Sequence, residues 1–420
     1  MRRSDKQPHA PWITPELIRI LYDAASMERW NDYPRMVDLV ELDKQAHKCI
    51  IAWFLAKCEG RPYDFLGLIE AGIFEFLRRV IVTDIRPDVF RSVLTEKEAA
   101  INAWVIAQLR DSVAAIEGGA FLARLERYFS DEGFLREERE LLKAAHYMAT
   151  RWEFAIVYQS SAFLSDVERL RQDVEREIER YKHYRGVLEI GLNLPLARII
   201  DLNGRLRFQI RWAHTPRIPR TSVLGHVLIV AIFAYFYCRA AGACPSRTVS
   251  TFYSALFHDL PEALTRDIIS PVKQSVEGLE DLIGEYEINM VARDILPLVP
   301  EDLRAEFSYL LGLYEEGGVL RKGEFKNRVR AGGEVGIIDD PAAHNEDRWN
   351  TIDGAAIKAC DHLAAFTEAM ISLALGVQSA DLRRGVVKLK GEYPQGGMVG
   401  GVDFRAVMDG TERYLMGAEK

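Results

Sequence analysis

The chain has 420 residues, 48% of them hydrophobic and 28% charged, with a formal net charge of -8. That length exceeds most single cores, so two domains of about 200 residues each are expected, and the apolar content excludes a disordered chain. Mild acidity excludes a general nucleic-acid binder, which neutralises phosphates with Lys and Arg.

The N-terminus, MRRSDKQPHAPWITPE, is basic but no apolar run follows it, so it does not read as a secretory signal. Helical periodicity then dominates, as in ITPELIRILYDAA, KCIIAWFLAKC and SDVERLRQDVEREIERYKHYRGVLEI, and alternating strand patterns are scarce. The expected fold class is all-α. The stretch from Ser165 to Glu189 carries acid and base three or four residues apart, which predicts a solvated connecting helix and a domain boundary near residue 195. The longest apolar run, Val227 to Cys238, falls short of the roughly 20 residues that span a bilayer and is flanked by His226 and Arg239. It predicts a buried helix and no membrane partner. Leu313 to Asn350, rich in glycine and charge, predicts a long loop or small hairpin inserted between helices. Five cysteines (Cys49, Cys58, Cys238, Cys244, Cys360) without a Cys-x-x-Cys pair point to neither a disulfide framework nor a zinc ribbon, and a reducing cytoplasm is expected.

The chain repeats itself. Arg29-Trp30 with Pro34-Arg35 recurs as Arg211-Trp212 with Pro216-Arg217 at the same spacing, and each copy is followed by a histidine opening an apolar helix, His47 and then His226. FEFLRRVIVTDIRPDVF lines up with FHDLPEALTRDIISPVK, placing Asp84 against Asp267. LLKAAHYMATRWEFA lines up with AIKACDHLAAFTEA, placing His146 against Asp361. Four blocks in one order predict two copies of one helical unit, residues 1–195 and 196–420, the second carrying the insertion at about 313–350.

The copies differ where chemistry would need ligands. In the second, His226, the adjacent His258-Asp259 and the distant Asp361 supply two imidazoles and two carboxylates, a set suited to one divalent cation such as Mn, Co, Zn, Fe or Mg. In the first, Glu75-Phe76 replaces His-Asp and His146 replaces the last carboxylate, so that copy cannot build the same cage, and His47 and His146 read as packing residues. Pro261 is suited to a helix start, which puts His258 and Asp259 at a turn. Glu262, one step inside that helix, can then orient or deprotonate a water, with Asp267 and Lys273 further along. Cys360, beside Asp361, reads as a small buried hydrophobe.

With the upstream Arg211-Trp212, the motif HDLPEALTRDIISPVK and the later VPEDLRAEF and IKACDHLAAFTEA, the region from Arg211 to Met370 resembles the bacterial 5′-deoxynucleotidase branch of the HD-domain phosphohydrolases. The resemblance implies an all-α bundle, which the internal repeat doubles into two tandem HD-like bundles with the first degenerate, and a metal held by His226, His258, Asp259 and Asp361. Glu262 then matches the catalytic carboxylate and Arg211 a phosphate-contacting arginine, while Trp212 and Asp267 match residues that recognise the sugar. It also implies a small-molecule nucleotide substrate, a nucleoside 5′-monophosphate. The alternatives are hydrolysis of a nucleoside triphosphate or a phosphodiester, or a regulatory nucleotide-binding protein whose first copy senses ligand. The repeated units predict an intrachain pseudo-dimer, with homo-oligomers a further option.

Overall fold

A helix that is apolar on every face has no side to offer water and must become the centre of a core. Val223–Ala240 is such a helix, with mean hydropathy 1.8 and 89% of its residues buried. It is the one helix among the described residues long and apolar enough to cross a bilayer by composition. The computed structural model describes residues 11–83, 87–266, 276 and 278–417. Asp84, Asp267 and Lys273 lie outside them.

The described residues are mostly helical, with only minor strands. The first half runs through α1 (Pro15–Asp23), α2 (Glu41–Cys58), α3 (Phe65–Val82), α4 (Pro87–Val113), α5 (Ala120–Ser130), α6 (Arg136–Ser161), α7 (Val167–Glu179), α8 (Arg185–Gly191) and α9 (Pro195–Arg205). The second runs through α10 (Val223–Ala240), α11 (Pro245–Phe257), α12 (Glu262–Thr265), α13 (Leu279–Met290), α14 (Arg304–Leu310), α15 (Gly354–Ala374), α16 (Ala380–Gly391) and α17 (Phe404–Leu415). Starts follow local chemistry: Thr14, Asp64 and Ser222 cap α1, α3 and α10 by accepting the N–H of Leu17, Gly67 and Gly225. The expected connecting helix is two helices, α7 and α8. Only Val167, Val174 and Ile178 of α7 are buried, so its other faces are solvated as expected.

The insertion forms two antiparallel hairpins, β1 (Leu313–Glu316) with β2 (Val319–Lys322), and β3 (Arg328–Ala331) with β4 (Glu334–Ile337). A buried arginine anchors it. The Arg328 guanidinium donates to the carbonyls of Tyr309, Glu324 and Lys326 and, at 2.7 Å, to the Ser254 hydroxyl on α11. Burial lowers its pKa to about 10.

One hydrophobic cluster runs through both halves, with Ile50, Trp53 and Phe54 of α2 in the same core as Val227, Phe233 and Phe257. Trp53 packs its ring 5.3 Å from Phe257 and 5.7 Å from Phe307. Helices α2 and α10 come so close that a Cβ on Gly225 would sit 2.8 Å from Asp43 Oδ1 and 2.9 Å from Leu42 Cδ2. The Ser222 hydroxyl donates to Asp43 Oδ1 at 2.6 Å across the same seam. Burial raises the Asp43 pKa to about 6.

The same backbone hook occurs twice. Glu28 bridges Val40, and Ile210 bridges Ser222, each closing a loop that holds an Arg-Trp pair. Arg29 N–H donates to Leu39 O and Arg211 N–H to Thr221 O. Both tryptophans are left-handed, Trp30 at φ 58° and Trp212 at φ 60°. Helices α3 and α12 likewise end on left-handed residues, Thr83 at φ 64° and Arg266 at φ 65°. A left-handed bulky residue is uncommon, and here it recurs at positions that the repeated sequence blocks align.

Candidate active site

Four elements converge on one spot. The loop after α9 carries Arg211 and Trp212, the first turn of α10 carries His226, the end of α11 gives His258 and Asp259, and α15 carries Asp361. The Arg247–Asp353 pair, bonded through two nitrogens at 2.8 and 2.5 Å, ties α11 to the start of α15 in the interior. That clamp fixes the helix bearing Asp361 against the helix bearing His258.

The ligand atoms of His226, His258 and Asp259 lie within 4.8 Å of one another. Atoms that share one ion at about 2.1 Å lie no more than roughly 4.2 Å apart, so a bound cation would draw this group together by a few tenths of an ångström. His226 Nε2 lies 2.8 Å from Asp361 Oδ1, which brings the fourth predicted ligand to the same group. His258 is oriented from behind by Nδ1, 2.7 Å from Ala255 O, and behind His226 the Glu368 carboxylate lies 3.3 Å from Nδ1 as a charge contact. Nδ1 tied back leaves Nε2 to face the site, which is how ligating histidines are held in one tautomer. Two imidazoles and two carboxylates fit a borderline or hard divalent ion such as Mn, Co, Zn, Fe or Mg.

Arg211 spans the carboxylates. Its Nη1 is 4.0 Å from Asp259 Oδ2, Nη2 is 3.8 Å from Asp361 Oδ1, and Nε donates to Glu368 Oε2 at 3.4 Å. Asp361 is shifted well below the usual carboxylate range: burial acts against this, and the bond and charge of His226, with Arg211, outweigh it. Burial and Arg211 push His226 toward the neutral form, yet its bonds to Asp361 and Glu368 prevail and raise its pKa. Glu262 opens α12 one turn beyond Asp259, its N–H donating to Asp259 O and its carbonyl accepting from Gln209 Nε2. Pro261 stands at the N-cap of this short helix, as the sequence predicted within a residue.

Sequence reasoning missed Glu368. This fully buried carboxylate accepts from the Trp212 indole at 2.9 Å and the Thr221 hydroxyl at 2.8 Å, besides Arg211, and it faces His226. It therefore orients a predicted ligand and both members of the Arg-Trp pair. Glu153 occupies the same place in the first half, accepting from Arg29 Nε at 2.9 Å and Trp30 Nε1 at 3.1 Å. The signal was in the aligned blocks. Each glutamate stands seven residues, two helical turns, after His146 or Asp361, and so lies on the same helix face. Glu368→Gln is expected to weaken Mn binding by about ten- to a hundredfold, the usual cost of disturbing the partner of a ligating histidine. Titration calorimetry with Mn checks this, and unchanged affinity would leave Glu368 a packing residue only.

One sequence expectation is corrected. The register of the two hooks puts Lys44, not His47, opposite His226, because α2 begins at Glu41 directly after the bridge at Val40, as α10 begins at Val223 directly after Ser222. His47 lies one turn further along. It is buried with Nε2 3.0 Å from Ile200 O and its ring edge on Trp152, and burial followed by Arg207 lowers its pKa to about 3. Cys360 is buried, as expected of a small hydrophobe, and burial pushes its thiol upward.

The profile of the HD domain matches residues 203–390, a span that includes Arg211, all four predicted ligands, Glu262 and Glu368. No curated protein gives a significant match. The matched segment is thus similar to the HD domain, a domain of metal-dependent hydrolases, and it contains the His226, His258 and Asp259 group.

Proposed function

We propose that the chain is a phosphomonoesterase acting on nucleoside 5′-monophosphates, deoxyribonucleotides first. The observation that carries this reading is Arg211, a guanidinium backed by Glu368 with its outer nitrogens spanning Asp259 and Asp361. A planar fork held there matches the oxygens of a terminal phosphate beside the ligand group. His226, His258, Asp259 and Asp361 would hold the ion. When bound, a divalent ion there polarises the phosphoryl group and acidifies water.

Glu262 takes the proton of the attacking water, and Arg211 offsets charge that builds on the phosphoryl oxygens. Trp212 and Asp267 match residues that recognise the sugar by the resemblance, although the Trp212 indole N–H is already committed to Glu368. The first half, to about residue 195, is a degenerate copy of the second, and the pair forms an intrachain pseudo-dimer, a reading supported by the repeated hook and by Glu153 and Glu368. A cytoplasmic setting suits the five free cysteines.

Full-length protein reconstituted with Mn, Co or Zn is expected to release phosphate from deoxynucleoside 5′-monophosphates faster than from triphosphates or cyclic nucleotides. Preference for either of those would overturn the monophosphate assignment. Glu262→Ala is expected to keep the metal while turnover falls by about a hundredfold or more. Unchanged turnover would remove Glu262 from the chemistry.

A further inference from the structure

We infer that the first half holds a second, metal-independent binding site for a phosphate monoester, floored by Lys44 and Lys48 and rimmed by Arg29, Arg79 and His146. The inference rests on the phosphate chemistry proposed above only for the class of ligand.

Position by position, the first half reverses the charge of the active site. Arg211 keeps its counterpart in Arg29, and Glu368 in Glu153. Lys44 stands for His226, Glu75 for His258, Phe76 for Asp259, Arg79 for Glu262 and His146 for Asp361. At these seven positions four carboxylates and one guanidinium become two carboxylates and three cations. A site that would take a cation in one copy carries basic side chains in the other; Lys44 Nζ lies 3.1 and 3.2 Å from the ring nitrogens of His146, and burial followed by Arg29 lowers the Lys44 pKa, so an incoming anion would favour its charged form. Lys48 adds a fourth positive group, 3.0 Å from Glu75.

The carboxylates present do not dilute this arrangement evenly. Glu41 and Glu153 are buried and bonded to Arg29, with Arg79 also on Glu41, so they lie behind the guanidinium as Glu368 lies behind Arg211. The rim is wet and the floor is dry: the side chains of Glu75, Arg79 and Arg29 are 28%, 19% and 11% exposed, whereas Lys44 and Lys48 are 1% exposed as residues. Burial, followed by Lys44, Lys48, Arg29 and Arg79, holds His146 in its neutral form, the mark of cations crowded about one point. A dianion relieves that crowding, and an oxygen-rich, compact one matches guanidinium and ammonium donors together. A second metal ion is disfavoured by the same charges. The cluster also touches the seam between halves, since Glu153 accepts from Arg207 Nη1 at 3.1 Å and Arg207 lies 3.3 Å from His47.

The test is titration calorimetry of inorganic phosphate, and separately of a deoxynucleoside 5′-monophosphate, into full-length Asp259→Asn protein stripped with chelator, so that no metal contributes and the Arg211→Gln variant reports any binding left at the active site. Binding is expected at one ligand per chain. It should weaken at least about tenfold in Lys44→Met and in Arg79→Gln, each checked for an unchanged helical spectrum, and should persist in Arg211→Gln. Arg79 is partly exposed, so its variant remains informative if Lys44→Met fails to fold. No binding to the stripped protein, or binding lost in Arg211→Gln and kept in Arg79→Gln, would overturn the inference. Failure of the hydrolysis screen with phosphate binding intact would instead count against the proposed reaction alone.

Discussion

Asp259→Asn is expected to abolish hydrolysis and to weaken metal binding by more than about a hundredfold, while the far-ultraviolet dichroism stays that of the parent. An amide oxygen is a much poorer ligand than a carboxylate for a divalent ion, and loss of a direct ligand exceeds the ten- to hundredfold cost of disturbing an outer partner. The fold should survive because Asp259 is partly exposed at a helix end and not a core residue. The surrounding structure is held by the Arg247–Asp353 clamp and by α10, neither of which depends on this side chain. Metal content by plasma emission and phosphate release from a monophosphate decide the matter. A variant that keeps full activity would dismiss the whole His/Asp group as the reaction centre.

A fragment that begins near Pro195 is expected to be insoluble, or to melt without a cooperative transition, and metal analysis of the full chain should find one ion. The reason lies in α10. Its buried residues share one core with α2, and removal of the first half would bare apolar surface along this helix and the Phe257 face that Trp53 covers. An exposed patch of that kind drives aggregation, and the covalent link to the first half normally keeps it covered. Asp43, whose carboxylate holds the Ser222 hydroxyl at the start of α10, would be lost as well. A soluble, active C-terminal fragment, or two ions per full chain, would show that the first half does something other than cover the second.

Much of this was legible before any coordinates. Helix content, the buried run at Val227 to Cys238 and the insertion after Leu313 follow from periodicity and composition, which are local properties of the chain. His258-Asp259 with Pro261 and Glu262 could be read as a turn and a helix start for the same reason, and the order of His226 and Asp361 about them came from repeated blocks.

What the sequence could not decide were relations between distant residues. His47 looked like the partner of His226 because both open an apolar helix, yet the bridges Glu28–Val40 and Ile210–Ser222 set the register and put Lys44 there. A slip of three residues is almost one helical turn, so periodicity alone does not distinguish the two choices. Glu368 reads as an ordinary polar residue of an amphipathic helix until Arg211, Trp212 and Thr221 are seen to converge on it from a loop far away in sequence. That one hydrophobic core includes residues of both predicted units is likewise a relation between distant residues. By itself the sequence determined helices, motif order and the residue types at the candidate site, because those depend on neighbours along the chain. Only the tertiary structure decided which buried charges meet, because a carboxylate or ammonium inside a protein is placed by partners it finds across space.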